Sequence, residues 1–94
     1  MPLYLVLSTL TDKGMETLKD APDRIREVNE ELEDMGAEVI AQYALFGRFD
    51  FANILKVPDP GTMAKISSEM ASRGTLRLQS YQAIEVEDLI EGMK

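Results

Sequence analysis

Ninety-four residues make one small domain, and 17 acidic against 10 basic residues leave a net charge of −7. That balance excludes a surface built to neutralise nucleic-acid phosphates or anionic lipid headgroups, so neither nucleic acid nor a membrane is an expected partner. Cysteine and histidine are both absent, which rules out disulfides, thiolate and imidazole metal sites, cysteine nucleophiles and Ser-His-Asp triads; no metal and no cofactor is expected.

The chain opens on PLYLVLSTL, Pro2 to Leu10, where Leu3, Leu5 and Leu7 alternate with Tyr4 and Val6. Both faces are apolar, as in a strand covered on two sides. Thr11 and Asp12 are placed to cap a short helical turn containing Met15 and Leu18. DAPDRIREVNEELEDMG then reads as a helix, with Pro22 in its first turn, an apolar stripe of Ile25, Val28, Leu32 and Met35, and Gly36 as a left-handed stop. Its other face carries Glu27, Glu30, Glu31, Glu33 and Asp34, which reads as solvated and lacks the glycine-bearing pattern of a calcium loop.

Ala37 to Phe46 and Phe49 to Val57 predict two strands, joined through Gly47 and Arg48 as an antiparallel hairpin. PDPGTMAKISSEMASRG predicts a second helix, with Asp59 as N-cap, Pro60 as its first residue, Met63, Ile66 and Met70 facing inward, and Gly74 as the stop. Thr75 to Val86 predicts a fourth strand, and EDLIEGMK an acidic tail with helical character. No apolar run approaches the ~20 residues of a membrane span, and no basic stretch leads into an apolar run and a cleavage site. A cytoplasmic location is expected.

The order β-α-β-β-α-β over residues 1–94 predicts a single α+β domain of the ferredoxin-like type. Its four antiparallel strands carry both helices on one face. The other face then needs a cover. By strict alternation, Phe49, Phe51, Asn53 and Leu55 oppose Asp50, Ala52, Ile54 and Lys56; Val39, Ala41, Tyr43 and Leu45 oppose Glu38, Ile40 and Gln42; Leu76 and Leu78 oppose Arg77, Gln79 and Tyr81. Each strand thus has one strongly apolar set and one mixed set, and the mixed sets suit a subunit contact better than bare water. A domain this small buries only about 60–65% of its unfolded surface, so self-association, as a homodimer or higher homo-oligomer, is expected.

PLYLVLSTLTDKG, APDRI, MGAEV, YALFGRFDFANILKVPD and LQSYQAIEVEDL together resemble the GYD domain family of small bacterial and archaeal proteins. The family's Gly-x-Tyr-Asp motif is matched by Gly47, Arg48, Phe49 and Asp50, with phenylalanine in place of tyrosine. The resemblance implies a dimeric α/β barrel and assigns no activity.

Two readings of the motif follow. In one, Gly47 takes a positive φ at a hairpin tip, Arg48 is solvated and Asp50 caps backbone N–H groups. In the other, Asp50 stands at the mouth of a cavity between the helix-free sheet face and a partner subunit, where it binds a cationic or hydrogen-bonding ligand group or acts as a base. Tyr4, Tyr43 and Tyr81, if they converge, and Arg77, paired with Asp50 or with a ligand carboxylate, complete the candidate binding residues. The leading functional reading is a homo-oligomer that binds a small, partly apolar molecule between sheet and partner. The alternatives are a cofactor-free enzyme of the monooxygenase or isomerase sort with Asp50 as acid and base, and a protein whose activity is assembly alone.

Overall fold

The computed structural model describes residues 2–94. Strands β1 (Leu3–Leu10), β2 (Glu38–Ala44), β3 (Phe51–Lys56) and β4 (Leu76–Ala83) form one antiparallel sheet in the order β2-β3-β1-β4, the ferredoxin-like arrangement. The first crossover holds two helices rather than one, α1 (Asp12–Asp20) and α2 (Arg24–Asp34); α3 (Pro60–Ser72) forms the second, and α4 (Val86–Gly92) follows the last strand.

Cross-strand register assigns the faces. Tyr4, Val6 and Ser8 of β1 lie beside Leu55, Asn53 and Phe51 of β3, and the core of Tyr4, Val6, Leu55 and Val57 packs against Leu32, Met63, Ile66 and Met70. This is the helix-covered face. The other face carries Leu3, Leu5 and Leu7 beside Lys56, Ile54 and Ala52.

Asp59 caps α3 as its sequence dictates, its Oδ1 accepting from the Thr62 N–H at 2.7 Å, with Pro60 first in the helix. Gly36 and Gly74 end their helices at φ of 99° and 72°, conformations that cost an L side chain energy. Pro22, in contrast, lies before α2 rather than in its first turn, with Asp23 at the cap position. The α1 glycine also has a reason. Thr11 accepts from the Gly14 N–H and donates to the Gly74 carbonyl, while its own N–H donates to the Thr75 carbonyl. This pins the start of α1 onto the start of β4 so closely that a Cβ at Gly14 would stand 1.8 Å from the Thr75 oxygen.

Glu31 departs from the solvated acidic face expected of α2. It is half-buried and pairs with Arg24 at 3.2 Å and with Arg73 at the end of α3, tying the two helices together. The hydrogen bond and charge of Arg73 hold its carboxyl below the usual value of 4.5, partial burial opposing them and Arg24 adding to them. A carboxyl lowered in the folded state stabilises at pH values above 4.5 and ceases to do so as pH falls through its folded value. Urea midpoints of the wild type and Glu31→Gln should therefore differ at pH 7 and converge in acid; a pH-independent difference would show that the pair contributes nothing through charge.

Candidate functional site

The β2–β3 connection is broader than a two-residue hairpin. It spans residues 45–50, closed by the Leu45 N–H donating to the Asp50 carbonyl at 2.7 Å. Gly47 does not take a positive φ, contrary to the turn expected there, and a Cβ at that position would meet nothing within 4 Å. Arg48 lies exposed over the half-buried Phe49 ring at 5.4 Å from its centroid, a cation–π contact. Phe49 precedes β3 instead of starting it.

Asp50 is the fixed point of this loop. Its N–H donates to the Ser8 carbonyl at 2.8 Å and its Oδ2 accepts from the Leu10 N–H at 2.7 Å. The carboxylate thus satisfies a backbone donor at the end of β1, continuing the β1–β3 pairing beyond the last regular ladder partner. That answers why a carboxylate stands between Phe49 and Phe51: the charged residue ends the strand pair. Replacing Asp50 with alanine leaves the Leu10 N–H without this acceptor, a loss of about 1–3 kcal/mol. The melting temperature should fall by roughly 5–15 °C, and an unchanged melting curve would contradict this anchoring role.

The three tyrosines do not converge. Tyr4 is buried on the helix-covered face, its hydroxyl without a hydrogen-bond partner among the described residues, whereas Tyr81 shares the helix-free face with Leu5. Tyr43 reaches that face because of an irregularity that alternation cannot foresee. The β2–β3 register shifts between Val39 and Ala41, so Val39 opposes Leu55 but Ala41 opposes Ile54, Gln42 opposes Asn53 and Tyr43 opposes Ala52. A bulge at Ile40 turns the second half of β2 over. Gln42 accordingly meets α2, exchanging two amide hydrogen bonds with Asn29 at 2.9 and 3.1 Å. Arg77 stands opposite Thr9 and, among the described residues, forms no ion pair with Asp50.

On the helix-free face, Ala41, Ile54, Leu5 and Tyr81 form one row across all four strands, and Tyr43, Ala52, Leu7 and Gln79 form the next. Tyr43 is 59% and Tyr81 51% exposed; the Tyr81 hydroxyl donates to Gln79 at 2.9 Å. The C-terminal segment adds to this unburied surface. Every residue from Ile84 to Lys94 is exposed, and Val86, Leu89, Ile90 and Met93 follow the spacing of one helical stripe on α4. The radius of gyration, 14.2 Å, exceeds the ~12 Å of a compact chain this long, as it should with α4 standing off the body of the domain.

A second feature, on the other side of the sheet, escaped the sequence reading. A cavity of about 180 Å³ lies between the helices and the sheet. Phe51, Asn53 and Ser8 belong to its floor, with Leu18, Ile25 and Val28 of α1 and α2 across from them.

Matched against known families, residues 4–93 fit the GYD domain. The chain belongs to the GYD domain family. Within that assignment, this GYD protein is 50% identical, over the full length of both chains, to a Thermus thermophilus protein named glutamine synthetase and cystathionine beta-lyase binding protein. Among the solved structures that share its fold, two illustrate it. One is the Leucine response regulatory protein (LrpA) of Mycobacterium tuberculosis, with a TM-score of 0.62 and 17% identity over 89% of this chain. The GYD domain spans about half of that protein, 51% of its length. The other is FFRP-DM1, with a TM-score of 0.59 and 20% identity over 89% of this chain and all of that one.

Proposed function

We propose that this GYD domain is a homo-oligomeric binding protein, assembled through its helix-free sheet face and acting by docking on partner enzymes. The observation that carries the assembly is apolar surface left uncovered: the Leu5 row is partly exposed and contiguous across the sheet, and Tyr43, Tyr81 and the α4 stripe are exposed, which marks an interaction surface. Tyr43, Tyr81 and Gln79 combine apolar bodies with polar ends, the composition that a wet-edged subunit contact favours.

Docking on enzymes is supported by the relative half identical in sequence, whose name states that it binds glutamine synthetase and cystathionine beta-lyase. The cofactor-free enzyme reading has less support. Asp50 is committed to the Leu10 N–H, and Tyr4 lies on the opposite sheet face from Tyr43 and Tyr81. The test is sedimentation of the chain alone and mixed with the two enzymes of its own cell, beside a Leu5→Glu variant whose expected behaviour is argued in the Discussion.

A further inference from the structure

The cavity beneath the helices goes beyond the assembly reading, because it lies on the opposite side of the sheet. At about 180 Å³ it is of the order of the ~150 Å³ apolar cavity that accepts benzene, and so has room for a small organic molecule. Its walls are mostly hydrocarbon. Val6, Phe51 and Leu55 rise from the sheet, and Ile25, Val28 and Met70 come from the helices.

Two polar side chains interrupt that apolar floor. Ser8 is only 2% exposed, and Asn53 sits diagonally from it on the neighbouring strand. Asn53 Oδ1 is buried and has no hydrogen-bond partner among the described residues. An acceptor left in that condition costs about 1–3 kcal/mol. A leucine at this half-buried position would carry no such cost, so the amide is out of place in purely structural terms.

The charged residues at the rim do not favour an ion. Arg24 is paired with Glu27 and Glu31, and Arg73 with Glu31 and Glu69. Asn29 and Gln42, which also line the cavity, already use their amides on each other. The ligand then needs a donor for Asn53 Oδ1 and, beyond the Ser8 hydroxyl in the floor, meets mainly hydrocarbon.

We propose that the space between the helical layer and the sheet is a binding site for a small, neutral, mainly apolar molecule carrying one hydroxyl or amine donor for Asn53 Oδ1. An aromatic or branched aliphatic body would meet Phe51, Ile25 and Val28, and its donor would point toward β3.

The test is an amide and methyl NMR titration of the intact chain with p-cresol and with toluene, which differ by the hydroxyl alone. Saturable shifts are expected at Val6, Ile25, Val28, Phe51 and Ile66, with p-cresol bound about 5–10-fold more tightly, the equivalent of one neutral hydrogen bond. Asn53→Leu should fold at least as stably and bind the two probes equally, while Val28→Phe should fill the space and abolish both. No saturable shift with either probe, shifts confined to Leu5, Tyr43 and Tyr81 on the helix-free face, or an undiminished preference for p-cresol in Asn53→Leu would overturn the proposal. Should Asn53→Leu fail to fold, the wild-type preference and the location of its shifts still decide. Sedimentation of the same samples reads the assembly independently, so failure of one proposal is not mistaken for failure of the other.

Discussion

Gly14→Ala should be among the most destabilising single-methyl changes in the molecule. The added carbon would stand 1.8 Å from the Thr75 carbonyl oxygen and 3.1 Å from a Leu10 methyl. Both obstacles are close, and the first is backbone that already accepts from the Thr11 N–H. On an exposed helix the same change would stabilise by ~1 kcal/mol, since alanine is the better helix former. Here overpacking reverses the sign and costs about 2–3 kcal/mol. For a domain of this size the melting temperature should fall by roughly 10–20 °C. Gly92→Ala, at the end of α4, serves as the control, since its added carbon meets nothing within 4 Å. Equal melting temperatures for the Gly14 and Gly92 variants would show that α1 is free to lift from β4.

That glycine also marks the limit of what the sequence makes legible. Local chemistry gives the succession of elements along the chain, the Asp59 and Pro60 start of α3, and the Gly36 and Gly74 stops, because caps and periodicity are encoded in neighbouring residues. Nothing beside Gly14 in the sequence marks it, because its constraint comes from Thr75, sixty-one positions away. The bulge at Ile40 was likewise invisible, yet it decides that Tyr43 and Ala41 share the face of Leu5 while Gln42 meets Asn29. Asp50 stands out as a carboxylate between two phenylalanines, but its partner, the Leu10 N–H, belongs to a strand forty residues away. The cavity was missed for the same reason. Asn53 read as one member of an alternating strand, and nothing in its neighbours told that its amide oxygen would be buried without a partner.

The second large effect is expected on assembly. Leu5 sits on a central strand of the helix-free face, between Ile54 and Tyr81, so a contact covering that face buries it near the middle. Substitution by glutamate leaves the helix-covered core of Tyr4 and Val6 on the same strand untouched. In the separated chain Leu5 is partly exposed, so the new carboxylate reaches water. In the assembly it would be buried without a partner, and association should weaken at least ~100-fold, the equivalent of about 3 kcal/mol. Removing the chain from Val86 onward should weaken association by a smaller factor, through loss of the α4 stripe.

Sedimentation equilibrium of the wild type and Leu5→Glu, alone and with the two enzymes, tests this most directly. The account predicts a wild-type dimer or larger assembly that co-sediments with an enzyme, and a folded, monomeric Leu5→Glu chain. A wild type that stays monomeric at high concentration, or a Leu5→Glu variant that assembles as well as the wild type, would contradict it.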